Sequence, residues 1–252
     1  MNQKEDNFLI ASIEDRIRKA DITQSIQFTH FLDPLQQTKI VSIISKHMDI
    51  CGDWNGGYIG AERKIVAILP SYYLQEKPIY PIMILEITWD IRFNQVTHRD
   101  ILGAILGLGI VRDCIGDIII QDKRAYVIVM YDISDFIRIN LVNVGRVTVR
   151  IKNVNHLEDH DTQLSVKEIH SYVSSMRLDT VLGIGFEISR TKVIPLIHTG
   201  LVRVNWENQL KPDVEVKIGD MISVRGKGRI QVKEVGGKSK KGRTSIVIVR
   251  FL

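Results

Sequence analysis

Residues 177–229 read RLDTVLGIGFEISRTKVIPLIHTGLVRVNWENQLKPDVEVKIGDMISVRGKGR. Two short helices followed by alternating strands fit this stretch. Ser174 or Ser175 is placed to cap a first helix, on which Leu178 and Leu182 lie one turn apart on a buried side. Ser189 is placed to cap a second helix, and Gly200 to end it. Pro195 falls inside that helix, where a proline costs about 3 kcal/mol unless the lost bond is compensated, so a bend is expected. Val202 and Val204 alternate with Arg203 and Asn205, and Ile222 and Val224 with Ser223 and Arg225, which turns the apolar residues inward. On a small twisted sheet, Arg177, Arg190, Lys192, Arg203, Arg225, Lys227 and Arg229 are expected on or near one exposed side. Arginine suits phosphate because its planar fork donates two parallel bonds. Residues 236–243, GGKSKKGR, precede an apolar strand from Ser245 to Val249 and read as a flexible basic hairpin tip. Lys238, Lys240, Lys241 and Arg243 are its candidate phosphate contacts, with a plain solvated loop as the alternative.

Charge sets this region apart. Residues 177–252 hold 15 Lys and Arg against 7 Asp and Glu, a net of +8, whereas residues 1–176 carry −3. A basic domain on a slightly acidic body suits a polyanionic partner, although a solvated basic surface has the same signature. No window reaches the roughly 18 apolar residues of a membrane span, and the start, MNQKEDNFLIASIEDR, lacks the basic flank and long apolar core of a signal peptide. Cys51 and Cys114 form no metal-binding or CxxC spacing. Such a pair suits a reduced, cytoplasmic protein. No metal or cofactor is expected.

Upstream, an α+β chain of several domains is expected. Residues 1–75 read as a mixed α/β domain. Phe8, Leu9, Ile13 and Ile17 recur at helical spacing, as do Ile40, Val41, Ile43 and Ile44 after an Asp33-Pro34 start. A turn-rich stretch covers 52–57 and a strand runs from Lys64 to Pro70. Residues 76–155 read as a ferredoxin-like βαββαβ domain, the topology shared by RNA-recognition motifs. Its strands are Ile82–Ile91, Asp117–Gln121, Ala125–Tyr131 and Val147–Val154, and its helices are His98–Leu108, capped by Thr97, and Ser134–Val142. Neither central strand carries the aromatic signature that stacks bases, so a structural plait is the default. Residues 156–175 read as a linker with a short helix from Val166, and residues 176–252 as the RNA-binding domain.

Arg177-Leu178-Asp179, Ser189-Arg190, Leu196-Ile197, Gly200, Val202 to Asn205, Gly219-Asp220 and Val224-Arg225-Gly226 together resemble the S4 domain, an RNA-binding module named for a small-subunit ribosomal protein. The resemblance implies an αα-β module whose RNA contacts here are Arg177, Ser189, Arg190, Lys192, Arg203 and Asn205. Most S4 domains have Gly where this chain has Trp206, which is either a base-stacking or a packing residue. Val204-Asn205-Trp206, 223–229, Gly60-Ala61-Glu62-Arg63-Lys64 and His98-Arg99-Asp100-Ile101-Leu102-Gly103-Ala104 look like the bacterial YlmH family over nearly the whole chain. That resemblance implies a cytoplasmic RNA-binding adaptor of rRNA and tRNA on the large ribosomal subunit, acting in quality control or rescue of stalled translation. It implies no small-molecule substrate and no catalysis. Two alternatives are an RNA-modifying enzyme that uses the S4 domain for delivery and a scaffold linked to cell division.

Several tempting motifs fail on context. Arg177-Leu178-Asp179-Thr180 is similar to the catalytic run of pseudouridine synthases but lacks their continuation, so Asp179 is expected to be structural. Gly103, Gly107 and Gly109 lie within and after a helix rather than opening one, which fits close packing and a C-cap instead of a phosphate loop. His156 and His160 lack further metal ligands. Glu62-Arg63-Lys64 and His98-Arg99-Asp100 read most simply as structural ion pairs, with RNA contact as the alternative.

Overall fold

A computed structural model describes residues 3–75, 77–90, 96–121, 123–157, 166–239 and 242–251. The chain forms two compact units, Met1–Gln163 and Leu164–Leu252.

In the first unit, α1 (Gln3–Thr23) and α2 (Pro34–Ile44) pack on a three-stranded sheet of order β1-β3-β2, with β1 at Gln27–Phe28, β2 at Ile50–Asn55 and β3 at Ile65–Pro70. Ile13, Ile17, Ala20, Ile40, Ile44 and Ile68 make this core. Asp33 and Gln36 form a reciprocal capping box at the start of α2, with Pro34 in the first turn. The turn expected at 52–57 is half strand. Gly52 to Asn55 pair with Ile68 to Ile65 in β2, and the chain turns only after Asn55. Neighbouring segments approach closely at Gly52 and Gly56. A Cβ on Gly56 would meet the Ala61 Cβ at 2.3 Å and the Arg63 carbonyl oxygen at 2.5 Å.

The rest of this unit runs β4 (Ile82–Trp89), α3 (His98–Gly107), β5 (Ile115–Ile120), β6 (Arg124–Met130), α4 (Tyr131–Asn140), β7 (Asn143–Val144) and β8 (Val147–Val154). The sheet order is β5-β6-β4-β8-β7 and every pairing is antiparallel. Strand alternation divides the sheet into two faces. Leu85, Ile87, Val127, Val129 and Val149 meet Ile101, Ile105 and Ile137 of the two helices. Ile84, Tyr126 and Ile128 face the other way and pack with Phe31 and Ile65 from the N-terminal part. Residues 1–75 and 76–155 therefore share one core within a single compact unit.

Thr97 and Asp100 form a capping box at α3, so Asp100 of the His98-Arg99-Asp100 run is committed to a helix start. Gly109 follows the helix at φ +85°, the left-handed position that favours glycine. A Cβ on Gly103 or Gly107 would meet nothing within 4 Å, so the close packing expected of these two is not found.

The second unit begins with a correction. Val166 to Val173 form a strand, β9, not a short helix in a linker. All eight residues pair with β14 (Thr244–Phe251), from Val166 opposite Phe251 to Val173 opposite Thr244. The alternation of Ile169, Ser171 and Val173 on one face is a period of two, which a helix does not use. Then come α5 (Leu178–Gly185), α6 (Arg190–His198), β10 (Val202–Val204), β11 (Glu207–Asn208), β12 (Met221–Val224) and β13 (Gly228–Lys238). The six-stranded sheet has the order β11-β10-β12-β13-β14-β9. Leu178, Val181, Leu182, Val193 and Ile197 cover its inner face of Val202, Ile222, Val224, Ile230, Val232, Ile246 and Ile248.

Candidate nucleic-acid interface

The helix start at α5 is set by backbone pairing rather than by a serine. Arg177, not Ser174 or Ser175, is the N-cap residue, and its side chain makes no cap bond. Backbone bonds from Leu178 to the Val214 carbonyl, from Asp179 to the Pro212 carbonyl and from Val216 to the Met176 carbonyl hold this turn against the 212–216 loop. Ser189 is the N-cap residue of α6 as read, but its hydroxyl bonds the Thr191 hydroxyl instead of a backbone amide. Pro195 sits within α6, and the Thr199 amide and hydroxyl both donate to its carbonyl.

This geometry seats Asp179, 1% exposed, between two arginines from different helices. Arg177 donates Nε to Oδ1 at 3.2 Å and Nη2 to Oδ2 at 3.1 Å. Arg190 donates Nε and Nη2 to Oδ2 at 2.9 and 2.6 Å. Thr180 adds its hydroxyl to Oδ1 at 3.2 Å. Burial pushes the Asp179 carboxyl upward, but the bonds and charges of Arg177 and Arg190 outweigh it and leave the group below the usual carboxylate range. The arginine side chains remain 38% and 60% exposed. One carboxylate therefore orients two guanidiniums whose outer edges face solvent. Both residues are expected RNA contacts from the sequence, and the structure ties both to Asp179.

The remaining expected contacts do not all gather here. Directly opposed strand residues project to the same face, and Arg203, Ser223 and Arg229 are opposed across β10, β12 and β13. Their neighbours Val202, Val224 and Ile230 enter the core beneath α5 and α6. Arg203 and Arg229 thus lie on the sheet face turned away from the helices, and the single exposed side expected from the sequence is divided. Arg203 donates to Asn208 at 3.1 Å, and the Arg229 guanidinium stacks 4.8 Å from the Phe251 ring centroid. Exposed Arg225 and Lys227 lie in the turn between β12 and β13. Lys192 is exposed on α6 two residues beyond Arg190, so the two side chains diverge. Lys238 ends β13 and Arg243 precedes β14, both exposed, while Lys240 and Lys241 lie outside the described residues.

Asn205 is a turn-forming residue in this structure. It donates to Asp220 at 2.8 Å and accepts from the Met221 amide at 3.0 Å. Asn205 and Trp206 connect β10 to β11 with φ of +49° and +68°. A two-residue hairpin turn of this hand asks for positive φ at both places, which is why glycine suits the second. Trp206 occupies it against that preference and does not join the core cluster beneath the helices.

The sequence reading missed a second cationic surface. On the helix-free face of the first unit's larger sheet, Arg124, Thr88 and Arg150 are mutually opposed, and so are Tyr126, Glu86 and Lys152. Glu86 is buried and lies 2.9 Å from Lys152 and 3.9 Å from Arg124. The next row, Ile128, Ile84 and Val154, belongs to the core shared with the N-terminal part. One half of this face is therefore covered by apolar packing and the other half is polar and basic. The polar-apolar alternation of Thr148 to Ile151 was its signal in the sequence.

Among the described residues no three His, Cys, Asp or Glu side chains gather as a metal site, and no helix is long and apolar enough to cross a membrane. Cys51 and Cys114 are both free.

Two helices joined at their starts by an Arg–Asp–Arg bridge, leading into a Val-Arg-Val-Asn hairpin, define an S4-domain protein, and the S4 domain model matches residues 176–222. The models for "YlmH, N-terminal" and "Putative RNA-binding domain in YlmH" match residues 5–73 and 76–159. A Bacillus subtilis protein named "Ribosome-associated protein quality control protein P2" is 32% identical over 225 residues, covering 89% of this chain and 87% of that protein. A solved structure titled "Cell division protein ylmH from Streptococcus pneumoniae" is 24% identical with a TM-score of 0.50. It covers 61% of this chain and 93% of that one, and carries the fold alone. The chain belongs to the YlmH family.

Proposed function

We propose that this chain is a non-enzymatic RNA-binding adaptor that associates with the ribosome and takes part in quality control of stalled translation. The observation that carries the reading is the Arg177–Asp179–Arg190 bridge inside a matched S4 domain. Two guanidiniums held by one buried carboxylate lose less rotamer freedom on meeting a phosphate than two free side chains do. They supply position and affinity, while folded RNA shape supplies selectivity. The ribosomal role is supported by the name of the Bacillus subtilis relative. Within this reading, the RNA is rRNA of the large subunit together with tRNA. Arg124, Arg150 and Lys152 add a second phosphate-facing surface in the segment matched by the RNA-binding model. Ser189, Lys192, Arg225, Lys227, Lys238 and Arg243 remain proposed contacts.

The test is sedimentation of ribosomes from cells carrying tagged wild-type or Arg190→Ala protein, with crosslink mapping of bound RNA. The wild type is expected with large subunits, crosslinked to rRNA and tRNA, and the variant is expected to be depleted. Absence of the wild type from every ribosomal fraction under translation stalling would overturn the reading.

A further inference from the structure

The chain has three tryptophans, and two of them pack in cores. Trp54 joins the core of α1 and α2, and Trp89 joins the core beneath α3 and α4. Trp206 joins none of the core clusters among the described residues. It is half-buried and stacks on no described ring or guanidinium. Its indole N–H donates to no described residue and is not sealed away from solvent. A tryptophan placed for packing would show at least one of these contacts.

The backbone at this position is strained as well. Trp206 has φ of +68° at the second place of the hairpin turn, where a Cβ crowds the backbone and glycine does not. Gln24, Glu187 and Asn205 are the other described non-glycine residues with positive φ, and none is aromatic. Strain of this kind persists where the surroundings over-determine the conformation, and it concentrates at binding sites. Here the surroundings fix the turn. The Asn205 amide donates to the Met221 carbonyl at 2.8 Å, and its side chain accepts from the Met221 amide at 3.0 Å. Asp220 links the same side chain to the Lys217 amide. The ring is thus carried on a turn anchored to the neighbouring loop, and a tryptophan has few torsions to lose on meeting a flat partner. Arg203 opposes Asn208 and Glu207 opposes Val204, so the cation and the carboxylate leave the hairpin on opposite faces. With these charges offset, the tip offers stacking rather than ion pairing.

We propose that Trp206 stacks on an unpaired base of the bound RNA, so that the second unit selects RNA with a bulged or looped nucleotide over a fully paired helix. This rests on the RNA reading of the S4 domain and adds a requirement that the arginines do not impose. Trp206 lies inside the matched S4 segment, in a unit whose excess of Lys and Arg favours nucleic acid over a protein surface. Every base has a flat face, and an unpaired base is free to present it to a ring. The tip is therefore tolerant of sequence and sensitive to pairing.

Titration of the full chain with a short RNA hairpin carrying one bulged adenosine, and with the same hairpin fully paired, tests it. The bulged probe is expected to bind at least about fivefold more tightly and to quench tryptophan emission. Trp206→Gly should bring the two affinities together and abolish the quenching. Its slope against salt should match the wild type, no cation being lost, and it should melt no lower. Trp206→Phe should retain part of the preference. Arg190→Ala should weaken both probes and keep the preference, which separates this proposal from the S4 reading. No binding of either probe by the wild type would overturn the RNA reading and this proposal together. Equal affinity of the wild type for the two probes would overturn the stacking alone, as would an undiminished preference in a folded Trp206→Gly. If that variant kept its preference but lost ribosome association, the ring would be assigned to a protein contact instead.

Discussion

Asp179 Oδ2 lies 2.6 Å from Nη2 of Arg190, a residue eleven positions further on and on a different helix. The same carboxylate also holds Arg177, so α5 and α6 are tied at their N-terminal ends by one buried anion. The tie is a structural element and an orienting device together, and the two roles are separable by experiment.

Asp179→Asn removes the charge but keeps the shape. Loss of a buried, charge-assisted acceptor is expected to lower stability by about 1–3 kcal/mol, toward the low end because solvent reaches both arginines. Specific RNA affinity should fall while the salt dependence does not, since no cation is lost. Arg190→Ala should lower both, the slope by roughly one unit per phosphate contact. Melting curves and binding at several salt concentrations check this pair.

The same carboxylate sets an acid dependence. Its folded pKa is depressed, so its stabilising contribution is complete above the unfolded value of about 3.9 and is lost as pH falls through the folded value. The stability gap between wild type and Asp179→Asn should be constant above about pH 5 and narrow progressively as pH falls below about 4. A gap that did not narrow in acid would exclude this mechanism.

Asn205→Ala should destabilise the second unit by about 1–2 kcal/mol, because the Met221 amide and Asp220 lose their partner. RNA affinity of the folded fraction should be nearly unchanged, in contrast to Arg190→Ala. Trp206→Gly relieves a positive φ and should preserve the hairpin. Amide exchange at Met221 together with binding assays distinguishes these outcomes.

Fragments starting at residue 164 and at residue 176 differ by β9. The longer one keeps a strand that pairs along the whole of β14. The shorter one leaves that edge open over Ile246 and Ile248 and should melt lower, with a tendency to associate through the bare edge. Analytical ultracentrifugation and thermal melts report both effects.

Asp117→Ala tests the Glu62-Arg63-Lys64 segment. Asp117 accepts from the Glu62 and Arg63 amides at 2.7 and 3.1 Å and from the Tyr58 hydroxyl at 2.9 Å. Its removal should destabilise the first unit by about 2–4 kcal/mol, several charged bonds being lost at once. The melting of the second unit should be unaffected.

Local chemistry made much of this legible in advance. The helix starts at Asp33, Thr97 and Ser189 and the left-handed Gly109 and Gly200 mark chain direction within a few residues. The β-α-β-β-α-β order and the inward Val202, Ile222 and Val224 follow from hydrophobic period alone. The misread strand β9 shows the limit. Its exposed polar residues are held by pairing to a segment some eighty residues away, which no local period records.

Residue order by itself determined which cations exist and which segments alternate. Tertiary pairing decided where those cations point. Register turns Arg203 and Arg229 away from the helices, because opposed residues share a face and their neighbours must enter the core. Helix packing brings Arg177 and Arg190 onto Asp179. Electrostatic energy depends on distance through space and on burial, and neither quantity is written along the chain.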